Sequence, residues 1–272
     1  MVYELSKGHR MNFFPQLATG AIAQYPAAST LLRRTVVNET ADGRQICWPD
    51  LMGTEVRWEC ALTEMSDQEW TAVRDLFQAV EGRWKNFTFF SPYENLLAWS
   101  EDFSKAIWVK ESLLTLAGAV SDPFGGTAAF RATNPAPASQ KISQAVAVPA
   151  NYQTCFSVWI RNGNAVLTRT AGTMTESRGF TAGPVWKRVS MGGAHSQEAD
   201  STTFGIQIPA GGACDIFGAQ LDLQIAPAEY VPSAGRSGVY ANARFDEDRL
   251  NSLALGPDRK QIKIRVTARV ED

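Results

Sequence analysis

Apolar and polar side chains alternate along Thr54–Thr63: Val56, Trp58, Cys60 and Leu62 share one face, while Arg57 and Glu59 share the other. A period of two predicts a half-buried strand. Ser66-Asp67-Gln68-Glu69 follows as a capping box, with Ser66 as N-cap and Glu69 three positions on. Trp70, Val73, Phe77 and Val80 then recur at helical spacing, and Gly82 ends the predicted helix. Trp84–Phe90 predicts a second strand, closed by Ser91-Pro92. Much later, Gln261–Val270 alternates strictly, with Ile262, Ile264, Val266, Ala268 and Val270 on one face. The short C-terminal stretch from residue 236 cannot build a sheet alone. Its expected partner is the sheet of residues 1–95.

Between these ends the pattern changes. Lys141–Val148, Thr154–Arg161, Ala165–Arg169, Trp186–Met191, Thr203–Ile208 and Ala213–Leu223 read as short strands. Asn162-Gly163, Gly125-Gly126 and Pro209-Ala210-Gly211-Gly212 punctuate them as turns. Regular short strands of this kind indicate a β-sandwich or jelly roll. Charge density shifts at the same places. Residues 1–95 carry 21 charged side chains (9 basic, 12 acidic), residues 96–235 carry 19 (9 and 10), and residues 236–272 carry 14 (8 and 6). The flanks are thus about twice as charge-dense as the middle. The expected organisation is a discontinuous host domain, 1–95 with 236–272, interrupted by an inserted domain at 96–235. Insertions succeed where a surface loop of the host meets a guest with neighbouring termini. The expected fold class is mostly β: a barrel or sandwich with one α-helix, plus an inserted jelly-roll β-sandwich.

Composition narrows the function. The chain has 272 residues, 44% hydrophobic and 20% charged, so it can bury a real core. A net charge of −2 offers no global attraction for phosphate backbones, and no nucleic-acid partner is expected. The N-terminus lacks an apolar signal core, and the uncharged run Met11–Leu32 is broken by Pro15 and Pro26, so membrane insertion is not expected. That run either covers its own domain or lies as an arm on a neighbour. Cys47, Cys60, Cys155 and Cys214 have no metal-ligand spacing and read as reduced, buried thiols. His9 and His195 are the only histidines, and both read as solvent-facing loop residues. No G-x-S-x-G motif occurs and no glycine-rich stretch precedes a helix, so the chain is not expected to be an enzyme.

Two stretches carry a family likeness. Glu55–Leu97, with its strand, the SDQEW helix start, the EGR turn and NFTFFSPYENLL, resembles the baseplate-hub domain of distal tail proteins of long-tailed bacteriophages. NLLAWSEDFSKAIW at 95–108 and IFGAQLDLQIAPAEYVPSAG at 216–235 resemble the opening and closing segments of carbohydrate-binding-module-like jelly rolls in phage tail proteins. Asp222 stands where that closing motif usually carries glutamate. The resemblance implies a homo-oligomeric ring, a hexamer, that joins the tail tube to tail-tip proteins. It places the chain in the virion tail, made in the bacterial host cytoplasm, with the inserted domain touching host cell-surface glycans. A free-standing carbohydrate-binding protein and a tail-associated glycan hydrolase are the competing expectations.

Sugar recognition joins an aromatic face to planar hydrogen-bonding groups. In Thr154–Arg161, alternation puts Phe156, Val158 and Ile160 on the core face and Ser157, Trp159 and Arg161 on the other. Trp159 and Arg161, with Tyr152, Arg178 and Trp186, are therefore the candidate carbohydrate-binding residues. The alternative for the two tryptophans is core packing, and for the two arginines a solvated surface. No cofactor is expected. Glu101, Asp102 and Asp222 are the oxygen ligands a structural calcium would draw on, since such jelly rolls often hold one ion between first and last strands; otherwise they are solvated carboxylates.

Overall fold

The computed structural model describes residues 12–50 and 53–270, so His9 lies outside the described residues. The chain forms two compact units. The first contains β1 (Ala28–Leu32), β2 (Thr35–Glu39), β3 (Gln45–Pro49), β4 (Glu55–Met65), α1 (Asp67–Ala79) and β5 (Phe87–Phe90). The second contains β6 (Val109–Lys110), β7 (Thr115–Val120), β8 (Ala129–Thr133), β9 (Gln140–Val146) and β10 (Thr154–Arg161). It continues with β11 (Gly163–Ala171), β12 (Met174–Ala182), β13 (Lys187–Gly193), β14 (Thr202–Ile208) and β15 (Ala213–Asp222). The chain then returns to the first unit with β16 (Val239–Phe245), β17 (Ser252–Gly256) and β18 (Arg259–Arg269), the unit boundary falling after Val239.

In the first unit the alternating segments become neighbours. β4 and β18 pair antiparallel, with Trp58 opposite Val266, Cys60 opposite Ile264 and Leu62 opposite Ile262. The sheet runs β1-β4-β18-β16-β5, with β17 on β18. Its core is aromatic: Trp58 packs on Phe89 at 4.9 Å and Tyr240 at 4.6 Å, and Phe245 on Phe77 and Phe87. Each fully buried ring among them (Trp58, Phe87, Phe89) contributes roughly 1.5–3 kcal/mol. The capping box forms in full: the Ser66 hydroxyl accepts from Glu69 N–H, and Glu69 returns to Ser66 N–H at 2.8 Å. Phe14, Leu17 and Ile22 are buried and Phe14 packs on Phe87 and Phe89, so this part of the early apolar run covers its own unit. The second strand is shorter than the periodicity predicts. Gly82 adopts φ +65° and Lys85 N–H bonds Val80 O, so the chain turns through residues 80–85 and leaves Trp84 66% exposed. β2 and β3 form a separate two-stranded hairpin, exposed throughout.

The second unit is an antiparallel jelly-roll sandwich. One sheet runs β13-β10-β15-β8-β7 and the other β12-β11-β14-β9-β6. Phe156, Val158 and Ile160 of β10 face inward as alternation requires, and Phe156 meets Phe204 of the opposite sheet at 5.7 Å. The motifs at the two ends of this unit are joined by one side chain. Asn95, 1% exposed, donates to Ala219 O at 2.8 Å and Val231 O, and its Oδ1 accepts from Leu97 N–H and Leu221 N–H. The Gln220 side chain completes the clasp, donating to Glu229 O and accepting from Val231 N–H.

Two expectations about isolated residues are corrected here. His195 is buried, not solvent-facing, because backbone bonds from His195 N–H to Ala150 O and from Ala150 N–H to Ala199 O hold the loop after β13 against residue 150, and its Nδ1 accepts from Gln197 N–H. Cys47 is exposed, since it sits on the free hairpin; Cys60, Cys155 and Cys214 are buried free thiols, and burial pushes each up to about 11.

Candidate functional site

Trp159, Arg161 and Trp186 converge on the outer face of the β13-β10-β15-β8-β7 sheet, but that face is roofed over. The Arg188 guanidinium lies over the Trp159 ring at 4.7 Å. Tyr230 meets the same ring edge-on at 4.7 Å, and Phe124 packs against both. Beneath them, Gly218 at φ +62° brings the bulged strand β15 so close that a Cβ would stand 3.0 Å from the Trp159 ring. Trp186 likewise carries Arg161 at 4.5 Å. Arg161 itself is tied to Asp215 at 3.1 Å, a carboxylate that also holds Arg131 and Asn162. Arg178 lies on β12, in the other sheet, beside Phe180. Tyr152 stands in the turn before β10, with its N–H on Pro149 O. The five candidate residues therefore do not form one site.

The three carboxylates are engaged separately. Glu101 accepts from Tyr230 O–H at 3.1 Å, and Asp102 from Ser104 and Lys105. Asp222 accepts from Gln220 at 2.7 Å and Ala228 N–H at 3.1 Å. Among the described residues no group of three or more His, Cys, Asp or Glu stands together as a metal site.

Burial pushes the Asp222 carboxyl above the ordinary aspartate range, against its bonds from Gln220 and Ala228 and the nearby Arg188 charge. Between the ordinary and the raised value, the folded chain keeps a proton that the unfolded chain has released. Stability from this group is therefore present at low pH and lost as pH rises through the folded value. Asp222→Asn is expected to remove that loss. Urea unfolding across the acid range should show the variant gaining on the parent as pH rises, then a plateau; a difference independent of pH would contradict it.

An open groove lies next to the aromatic roof. Its volume is about 540 Å³, and its lining includes Trp99, Glu101, Asp102, Ser104, Thr127, Phe130 and Ser233. Two non-glycine residues on it, Trp99 (φ +53°) and Ala119 (φ +59°), hold left-handed backbone. For a bulky side chain this is a real outlier costing on the order of 1–3 kcal/mol. It persists at Trp99 because the N–H donates to Ala234 O at 2.7 Å and the carbonyl accepts from Trp108 Nε1 at 3.0 Å. At Ala119 the register of β7 against β8 breaks, placing it in a bulge. The groove thus joins an aromatic wall to carboxylate and hydroxyl groups, the combination that receives polyhydroxylated rings. Sequence reasoning named Glu101 and Asp102 for a different chemistry and missed Trp99. The signal available was a tryptophan set directly before Ser-Glu-Asp, outside any alternating pattern.

Fold and groove together define a β-rich chain whose second unit is a jelly-roll sandwich with an aromatic-walled cleft. Solved structures with a similar trace include the CBM22-1 xylan-binding domain from Paenibacillus barcinonensis Xyn10C, at 13% identity and TM-score 0.40, covering 49% of this chain and 96% of that one. TmCBM61, solved in complex with β-1,4-galactotriose, is similar at 16% identity and TM-score 0.35 over 47% of this chain and 97% of that one. The enzymatically active domain of bacteriophage CBA120 tailspike protein 4 is similar at 15% identity and TM-score 0.39, covering 49% of this chain but 22% of that one. No protein-family description matches the sequence, and no curated protein does.

Proposed function

We propose that the chain is a carbohydrate-binding protein and that the groove beside Trp99 holds the sugar. The observation that carries this reading is a tryptophan held in left-handed backbone at the wall of an open groove of about 540 Å³. Strain at such a position is retained where the surrounding structure over-determines it, and binding sites are where it collects. Trp99 and Phe130 supply apolar surface for the C–H face of a ring. Ser104, Thr127, Ser233 and the two carboxylates supply partners for its hydroxyls.

Trp99→Ala is expected to weaken binding at least about thirtyfold, the effect of losing a dominant anchor. Phe124→Ala, which alters the roof, should leave affinity within about threefold. A glycan panel followed by calorimetric titration checks both. If folded Trp99→Ala protein binds as the parent does, the groove is not the site.

A second reading, a tail-tip hub ring, is favoured by one observation. On the β2–β3 hairpin, Val36 pairs with Trp48 and Asn38 with Ile46, which sets Val36, Ile46 and Trp48 on one face. These are 44%, 43% and 59% exposed. A two-stranded hairpin is marginal in water by itself, and such a face suits a repeating contact between identical chains. Light scattering is expected to give the mass of a closed oligomer that falls to one chain of 29.8 kDa in Trp48→Asp. A parent that stays monomeric at high concentration removes this reading and leaves the first intact.

A further inference from the structure

Building on the groove as a glycan site, we infer that its preferred ligand is a sugar chain carrying protonated amines and that it turns uronic acid chains away. Charge is the first ground. Glu101 and Asp102 both line the groove, and no lysine, arginine or histidine is among its lining residues. Asp102 is a firm anion: the Ser104 hydroxyl at 2.5 Å, then Ser104 N–H and Lys105, hold its carboxyl below the ordinary aspartate range, against a smaller opposing effect of burial. Glu101 is fixed in the groove wall by the Tyr230 hydroxyl, which donates to it.

The second ground is a side chain that already performs the recognition. The Lys105 ammonium lies 4.5 Å from the centre of the Trp99 ring and 3.3 Å from the Asp102 carboxylate. A ring face beside a carboxylate is the arrangement that holds an ammonium group, through the ring quadrupole and an ion pair together. Lys105 is 42% exposed on a flexible stem, so it can yield the ring to a ligand amine. A uronate carboxylate entering the same space would meet two anions, and the Lys105 ammonium beside them is already paired with Asp102, so it would lose water for little gain.

The test uses the full chain and three oligosaccharides of equal length, made of glucosamine, N-acetylglucosamine and galacturonate. Calorimetric titration is expected to rank glucosamine roughly tenfold above its acetylated form, with galacturonate weaker than both. The preference should shrink in Asp102→Asn and Glu101→Gln, and again at 1 M salt, where charges are screened within about 3 Å. Lys105→Ala, which bares the Trp99 ring, should strengthen glucosamine binding several-fold. Thermal unfolding of each variant confirms that it is folded. Galacturonate binding as well as glucosamine, or a ranking unchanged in both carboxylate variants, overturns the inference while the groove remains a glycan site if Trp99→Ala abolishes binding. Failure of all three sugars to bind overturns the inference, while the glycan panel with Trp99→Ala decides separately whether the groove holds a sugar.

Discussion

Asn95→Ala is expected to destabilise the sandwich by about 3–5 kcal/mol, although it removes only a small surface-sized side chain. The reason is where the amide sits. It is 1% exposed and makes four bonds to backbone groups: Ala219 O, Val231 O, Leu97 N–H and Leu221 N–H. Alanine leaves these four groups short of a partner. Each buried backbone group so orphaned costs about 1–3 kcal/mol, and water reaching the gap recovers part of the total. The bonds also tie the segment entering the sandwich to the strand that completes it, so entry and closing strands should loosen together. Denaturant unfolding is the measurement, read on the transition of the sandwich because two units need not unfold as one. A loss below about 1 kcal/mol would mean that the clasp is not what holds these segments.

Asp215→Ala should cost about as much, 3–5 kcal/mol, by a different mechanism. Its carboxylate is 3% exposed and serves Arg131 at 2.7 Å, Arg161 at 3.1 Å and Asn162 at 3.0 Å. Removing it leaves the Arg161 guanidinium, 17% exposed, without its counter-charge. Arg131 is 43% exposed and can turn to water, so the penalty concentrates on Arg161. The double variant Arg161→Met with Asp215→Leu replaces the buried pair with apolar volume and should recover most of the loss, since such exchanges are often near neutral. If the single substitution costs no more than an exposed pair, about 0–1 kcal/mol, the cluster is not energetically buried.

The elements that sequence reasoning reached are those whose pattern is local. β4 and β18 show their alternation residue by residue, and Ser66 with Glu69 shows the helix start, because period and capping need no knowledge of the rest of the chain. β12 escaped notice because it is exposed along most of its length and so carries no alternation to read. β2 and β3, exposed at every position, escaped for the same reason.

The site divides along the same line. Alternation correctly put Trp159 and Arg161 opposite Phe156, Val158 and Ile160, since side chains on a strand change face at each step. It could not say whether that outer face was open. Tyr230, Arg188 and Phe124 come from distant parts of the chain to cover Trp159, and Arg161 covers Trp186. Trp99 lies outside any periodic segment, and the groove it lines needs residues near 119, 127–130 and 233–234 to exist. The sequence by itself determined the strands that alternate, the capped helix and the mostly β class, because these follow from steric and solvation preferences of neighbouring residues. Only the tertiary structure decided which tryptophan borders open space, because accessibility depends on what non-neighbouring segments bring to lie upon each ring.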